Sequence, residues 1–175
     1  MNASLRACGY PVSLTYDSIV IGAGAAGLFC AALAAQRGRR VLVVEHAEKP
    51  GKKILISGGG RCNFTNLRVR PDNFLSRNPH FAKSALARYT PQDFIGLVRK
   101  HRIAYHEKTL GQLFCDGAST QILDLLLDEC RAGGATVIAK CAVTNVSRDT
   151  RFRVETSKGI FDSETLVVAT GGLSI

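Results

Sequence analysis

The chain has no CxxC pair. Its six cysteines (Cys8, Cys30, Cys62, Cys115, Cys130 and Cys141) are scattered along 175 residues. That spacing fits neither a zinc site nor a disulfide framework, and no metal is expected. Apolar runs are interrupted too early to span a bilayer, so no membrane partner is expected. Residues 1–16 contain Arg6 but lack the continuous apolar core of an export signal. They read as a loose N-terminal extension, and the expected compartment is the cytoplasm. No internal repeat or low-complexity tract is present. Acids are scarce, with 14 against 23 Lys and Arg, for a net charge of +9. What remains is a globular composition, 46% hydrophobic with mean hydropathy +0.06, long enough for one domain with its own core.

Residues 17–45 carry the main signal. Ile19-Val20-Ile21 leads into Gly22-Ala23-Gly24-Ala25-Ala26-Gly27. An alanine-rich stretch follows to Gln36, and the apolar run Val41–Val44 ends in Glu45. Strand, glycine turn, helix, strand and acid form the layout of a dinucleotide-binding βαβ unit. Gly22 permits the tight turn, Gly24 lets backbone approach a pyrophosphate, and Gly27 allows close helix–sheet packing. Amides of the first helical turn, Ala25 and Ala26 among them, and the helix dipole then face the phosphates. Glu45 can accept hydrogen bonds from ribose hydroxyls. An acid there favours the unphosphorylated ribose of NAD or FAD over NADP.

Positive charge is concentrated. Residues 52–108 hold 12 Lys and Arg against Asp72, Asp93 and Glu107, a local net charge of +9; the rest of the chain sums to zero. A basic face suits an anionic partner. The basic residues are spread out and carry no RNA-binding motif, so a solvated basic surface is preferred over nucleic acid.

The remaining pattern extends the βαβ unit. A helix is predicted over 91–101, with Thr90 as N-cap, Pro91 first, and Asp93 as capping-box acid. Residues 103–106 and 112–115 read as a hairpin. A second helix is predicted over 120–132, capped by Ser119 and stopped by Gly133-Gly134. Residues 136–139 read as a third parallel strand. Three short alternating segments, 141–146, 151–156 and 159–162, read as an antiparallel meander. Residues 165–169 read as a last buried strand before Thr170-Gly171-Gly172. Cys30 and Cys130 fall on apolar helix faces and read as core.

This order resembles the FAD-binding domain of the glutathione-reductase-like superfamily. Thr170-Gly171-Gly172 matches its second flavin motif. A narrower resemblance lies in Lys49-Pro50-Gly51-Lys52-Lys53-Ile54-Leu55-Ile56-Ser57-Gly58-Gly59-Gly60-Arg61-Cys62-Asn63-Phe64-Thr65-Asn66. That run is similar to the signature of the BaiN-like (aminoacetone-oxidase-like) NAD(P)/FAD-dependent oxidoreductases. Gly111-Gln112-Leu113-Phe114 and Ala169-Thr170-Gly171-Gly172-Leu173-Ser174-Ile175 also fit. Members often have Arg and Pro at the positions of Gln112 and Cys115, so no substrate-anion role is carried onto that hairpin. The absence of a Cys-x4-Cys pair counts against the disulfide-reductase branch.

The resemblance implies an α/β fold. Its form would be a Rossmann-like FAD-binding domain over 17–175, with a central parallel sheet, an antiparallel β-meander and an insertion at about 46–118. It implies FAD held at Gly22, Gly24, Ala25, Ala26, Gly27 and Glu45. It also implies Lys53, Ser57, Gly58, Gly59, Gly60, Arg61, Cys62 and Asn63 lining the cofactor, and Val143 near adenine. Thr170, Gly171 and Gly172 complete the set. Arg61 or Lys53 could stabilise charge near flavin N1. Cys62 reads as packing rather than a reactive thiol, and His101 and His106 as surface or hairpin residues rather than proton carriers. No catalytic residue can be named.

The expected reaction is hydride transfer from a small organic substrate to flavin N5, with O₂ or NAD(P)H as the electron partner. The superfamily's returning strand is missing. The chain therefore reads as incomplete at the C-terminus, without a substrate domain, and in need of a further segment or partner chain. The alternatives are a non-catalytic remnant, an NAD-only domain, and an RNA-linked flavoprotein using residues 52–108.

Overall fold

The computed structural model describes residues 14–172. Residues 1–13 of the expected extension, including Cys8, and Leu173, Ser174 and Ile175 of the terminal motif lie outside the described residues. The described chain divides into two compact units, one from residues 14–51 and 126–172, the other Lys52–Leu125.

The first unit is built on a six-stranded sheet. Its strands are β1 (Leu14–Ile21), β2 (Val41–Val44), β6 (Thr136–Ile138), β7 (Val143–Arg148), β8 (Phe152–Thr156) and β9 (Gly159–Val168). The order is β6-β2-β1-β9-β8-β7. Pairs from β6 to β9 are parallel, and β9, β8 and β7 are antiparallel. The architecture is thus α/β and Rossmann-like, with a mostly parallel sheet extended by a meander. β2 is buried along its whole length, as a strand covered on both faces must be. Ile19, Leu42, Val44, Cys141, Val154 and Phe161 form a core cluster.

Helix α1 (Ala25–Gln36) follows the glycine turn, with Leu28, Ala31, Ala32 and Ala35 buried. Small side chains let it lie close. At Gly133, a Cβ would stand 2.9 Å from Ala35 Cβ, so the end of α5 (Thr120–Gly133) also packs backbone to backbone on α1. The buried Glu129 carboxylate accepts a 2.7 Å hydrogen bond from Gln36, and the Cys130 thiol donates to the Leu28 carbonyl. Cys130 is buried as expected, whereas Cys30 is only half-buried.

Two expectations for this sheet need correction. Residues 159–162 and 165–169 are not separate strands, because β9 runs unbroken through both. Phe161 pairs with Val154 on one side and Leu14 on the other, so each half has ladder partners. The same length of β9 gives β1 partners as far back as Leu14, so β1 takes in the last three residues of the expected extension. Leu14, Thr15 and Tyr16 pair with Phe161, Asp162 and Ser163.

The second unit contains a small antiparallel sheet, β3 (Asn63–Asn66), β5 (Gln112–Cys115) and β4 (Tyr105–Glu107), in that order. Its helices are α2 (Lys52–Ile56), α3 (Lys83–Arg88) and α4 (Pro91–Lys100), plus the first turns of α5. The capping box of α4 is formed as predicted. Thr90 accepts from the Asp93 amide, and the Asp93 carboxylate accepts from the Thr90 amide at 2.7 Å. Phe64 of β3 packs on Phe94 of α4 with the rings tilted at 52°, and meets Tyr105 of β4 edge-on. Among the described residues no helix is long and apolar enough to cross a membrane.

Candidate functional site

In the first unit the glycine turn and the end of β9 meet. Gly22 has φ +106°, a conformation that side chains disfavour. A Cβ there would lie 2.5 Å from the Ala169 carbonyl oxygen and 3.1 Å from Thr170 Cα. Hydrogen bonds fix the junction. The Gly22 amide donates to Val44 at 2.8 Å, and the Ala169 amide to Ile21 at 2.8 Å. The two bare-backbone turns, 22–27 and 169–172, are therefore adjacent.

Gly27 has a different reason to be glycine. A Cβ would stand 1.9 Å from the Gly22 carbonyl oxygen, so α1 reaches its position only without one. Gly24 differs again. It is the N-cap of α1 with an ordinary extended backbone, φ −80°, and nothing lies within 4 Å of its missing Cβ. The space in front of it is open. The amides of Ala25, Ala26 and Gly27 belong to the first turn, whose donors have no intrahelical acceptor. No acidic residue sits in that turn. The geometry suits an anionic group at Gly24.

Glu45 closes the other side. One carboxylate oxygen accepts from the Ala23 amide at 2.8 Å, and the other from the Ala47 amide at 2.9 Å. His46 Nδ1 lies 3.0 Å from the latter oxygen. The chain's own amides thus hold the side chain against the glycine turn. A carboxylate has about four acceptor positions, so capacity remains for ribose hydroxyls. Val143 opens β7, and the Cys141 amide donates to the Glu45 carbonyl at 2.8 Å, which sets that strand end beside Glu45.

In the second unit, Ser57, Gly58, Gly59 and Gly60 form a tight turn after α2. Three consecutive glycines hold positive φ (58°, 66° and 86°), and Cys62 joins them at φ 52°. The turn is anchored at both ends. The Cys62 amide donates to Ser57, and the Ser119 amide to Gly60 at 2.7 Å. A Cβ at Gly58 would meet the Phe114 ring at 2.7 Å. The Ser119 hydroxyl, expected to cap α5, donates instead to the Leu55 carbonyl. Lys53 on α2, Arg61 and Asn63 are exposed. Asn63, expected in a cofactor-lining loop, begins β3, where it pairs with Phe114.

Cys62 is buried, and desolvation pushes its thiol up despite an opposing Ser57 interaction. That chemistry is the opposite of an activated nucleophile. Burial also pushes Cys115 and Cys130 up to about 11 from 9.0. Folded values above unfolded ones mean the stabilisation is full below about pH 9 and fades as pH rises toward about 11. The urea midpoint should therefore fall across that window, and fall less steeply when Cys115 and Cys130 are both alanine. An equal slope in the two proteins would refute this origin.

His106 has a partner that sequence reasoning did not identify. Its Nδ1 lies 2.7 Å from the Asp116 carboxylate, and its ring stacks on Phe114. The Ala23 amide contact of Glu45 also left no sequence signal, since every residue but proline has an amide. Among the described residues no group of three His, Cys, Asp or Glu could hold a metal ion.

The chain is similar to several known proteins. Residues 16–175 match the family described as "HI0933-like protein Rossmann domain". The chain is 59% identical over 161 residues to the ribosomal RNA dihydrouridine synthase of Escherichia coli (strain K12), covering 91% of this chain and 40% of that protein. It is 52% identical over 164 residues to the protein of the same name from Haemophilus influenzae, covering 91% and 41%. The chain therefore spans about two-fifths of the length of these curated relatives. Among solved structures, 3-ketosteroid-delta4-(5alpha)-dehydrogenase from Rhodococcus jostii RHA1 superposes with TM-score 0.67 at 15% identity, covering 91% of this chain and 46% of that one. At that identity the likeness is one of fold.

Proposed function

This chain belongs to the HI0933-like Rossmann domain family, and from that premise we propose that it supplies the dinucleotide-binding part of an FAD-dependent enzyme that reduces uridine in ribosomal RNA. The observation that carries the cofactor is the open, bare backbone at Gly24, flanked by Glu45 and the turn at 169–172. Ala25, Ala26 and Gly27 amides would receive the diphosphate, Glu45 the adenosine ribose, and Gly171 and Gly172 the chain beyond it.

The relatives' name supports the substrate, and on this reading the flavin would give up a hydride rather than receive one from a small organic substrate. Making dihydrouridine adds a hydride and a proton across the uracil C5=C6 bond. Bound flavin would supply the hydride chemistry, with NAD(P)H as the reductant that is oxidised. An RNA-linked flavoprotein, the alternative reading of the basic segment, is thereby preferred over a small-molecule oxidase. For choosing the substrate, the narrower BaiN-like resemblance gives way to these relatives. The compartment would be the cytoplasm, where ribosomal RNA is accessible.

The test uses the protein with any further sequence its gene encodes. Purified protein should carry FAD, and NADH or NADPH should drive addition of two hydrogens to a uridine of ribosomal RNA, read by nucleoside mass spectrometry. Bound FAD without that product would remove the substrate assignment. A protein that takes up no FAD would remove the whole reading.

A further inference from the structure

We infer that the exposed segment 68–88 of the second unit is a single-stranded RNA docking surface, with Phe74 and Phe81 as base-stacking platforms. The inference rests on the RNA reading above and names where the RNA is held. Charge is the first argument. Every one of the 12 basic residues between Lys52 and Lys108 is exposed. Of the three acids there, Asp93 is committed to the Thr90 cap and Glu107 to the Gly111 amide.

The second argument is that large apolar side chains are exposed among these cations. Phe74 is 41% exposed, Phe81 54% and Leu75 96%. The two phenylalanines contact edge to face, with centroids 6.4 Å apart at 82°. Local hydrogen bonds hold them in place. Phe74 closes the turn Pro71–Asn73 by donating to Pro71, and Arg70 at the start of that turn bonds Asn73. The Phe81 amide donates to Asn78, and Lys83 opens α3 two residues later. Arg77 lies in the exposed link between the rings.

Each part matches one component of a nucleic-acid strand. Aromatic faces stack bases without demanding a sequence, while Arg and Lys follow the phosphates. An acidic protein surface would use the charges but has no reason to favour two presented rings.

The experiment measures binding of a fluorescein-labelled oligouridylate to the purified protein, by anisotropy across a salt series. Phe74→Ala with Phe81→Ala should weaken binding about tenfold or more with little change in salt slope. Arg77→Ala with Lys83→Ala should flatten the slope of log K against log salt by about 0.7 per lost contact. Melting temperature should hold in both, because the side chains are exposed. Variants that bind like the parent would overturn the surface while leaving the enzymatic reading to its own product assay. A parent that binds no oligouridylate would also overturn the surface, and the enzymatic reading would still stand or fall on its product assay. A lowered melting temperature with unchanged RNA affinity would mean that protein, not RNA, covers these rings, and would also overturn it.

Discussion

Gly27→Ala is expected to destabilise the first unit more than any other single methyl added in the nucleotide turn. The added Cβ would stand 1.9 Å from the Gly22 carbonyl oxygen, and that neighbour is backbone, not the end of a flexible side chain. Gly22 cannot yield easily. Its own amide is bonded to Val44 at 2.8 Å, and its φ of +106° is already at a value few residues adopt. Helix α1 must therefore lift from the strand. Overpacking of this kind costs about 3 kcal/mol at the upper end of what is usual. For a domain of this size that is on the order of 10 °C in Tm. A calorimetric Tm within a degree or two of the parent would refute the close-packing role.

Gly24→Ala is expected to separate binding from folding. No atom lies within 4 Å of the new methyl, and the backbone there is one an alanine accepts. Two small terms oppose each other. Alanine is a poorer N-cap than glycine by up to about 1 kcal/mol. It also restricts the unfolded chain, which returns about 0.4–1 kcal/mol. Tm should barely move. The methyl would nevertheless occupy the space through which a phosphate reaches the first-turn amides. Losing two charge-assisted hydrogen bonds, at roughly 1.5 kcal/mol each, weakens FAD binding about 100-fold. Titration of apoprotein with FAD, followed by flavin fluorescence, measures this. Parent-like affinity would place the diphosphate elsewhere.

These two glycines were equally legible as letters of one motif, and their physical roles are not alike. The difference lies in the neighbour each Cβ would meet, which no spacing rule encodes. Elements with strong local signals were also legible. Helix α4 had its Thr90–Asp93 box, and β2 its unbroken apolar run. The elements that were missed are short or polar. α2 has five residues and α3 six, too few for a helical period to stand out. β3 reads Asn-Phe-Thr-Asn and is a strand because β5 offers it a ladder. Ser119 kept its place before α5 but turned its hydroxyl to Leu55, because a carbonyl from another segment came within reach.

The amino-acid order alone determined the strand, glycine turn, helix, strand and acid of residues 17–45. Steric freedom at glycine, apolar periodicity and helix-end chemistry all act within a few residues. Only the tertiary structure decided that the Ala169 carbonyl lies against Gly22, that the Glu45 carboxylate grips the Ala23 amide, and that β9 is one strand serving two neighbours. Those arrangements join residues far apart in the chain. Their energy exists only once the intervening polypeptide has closed, so no local pattern could carry it.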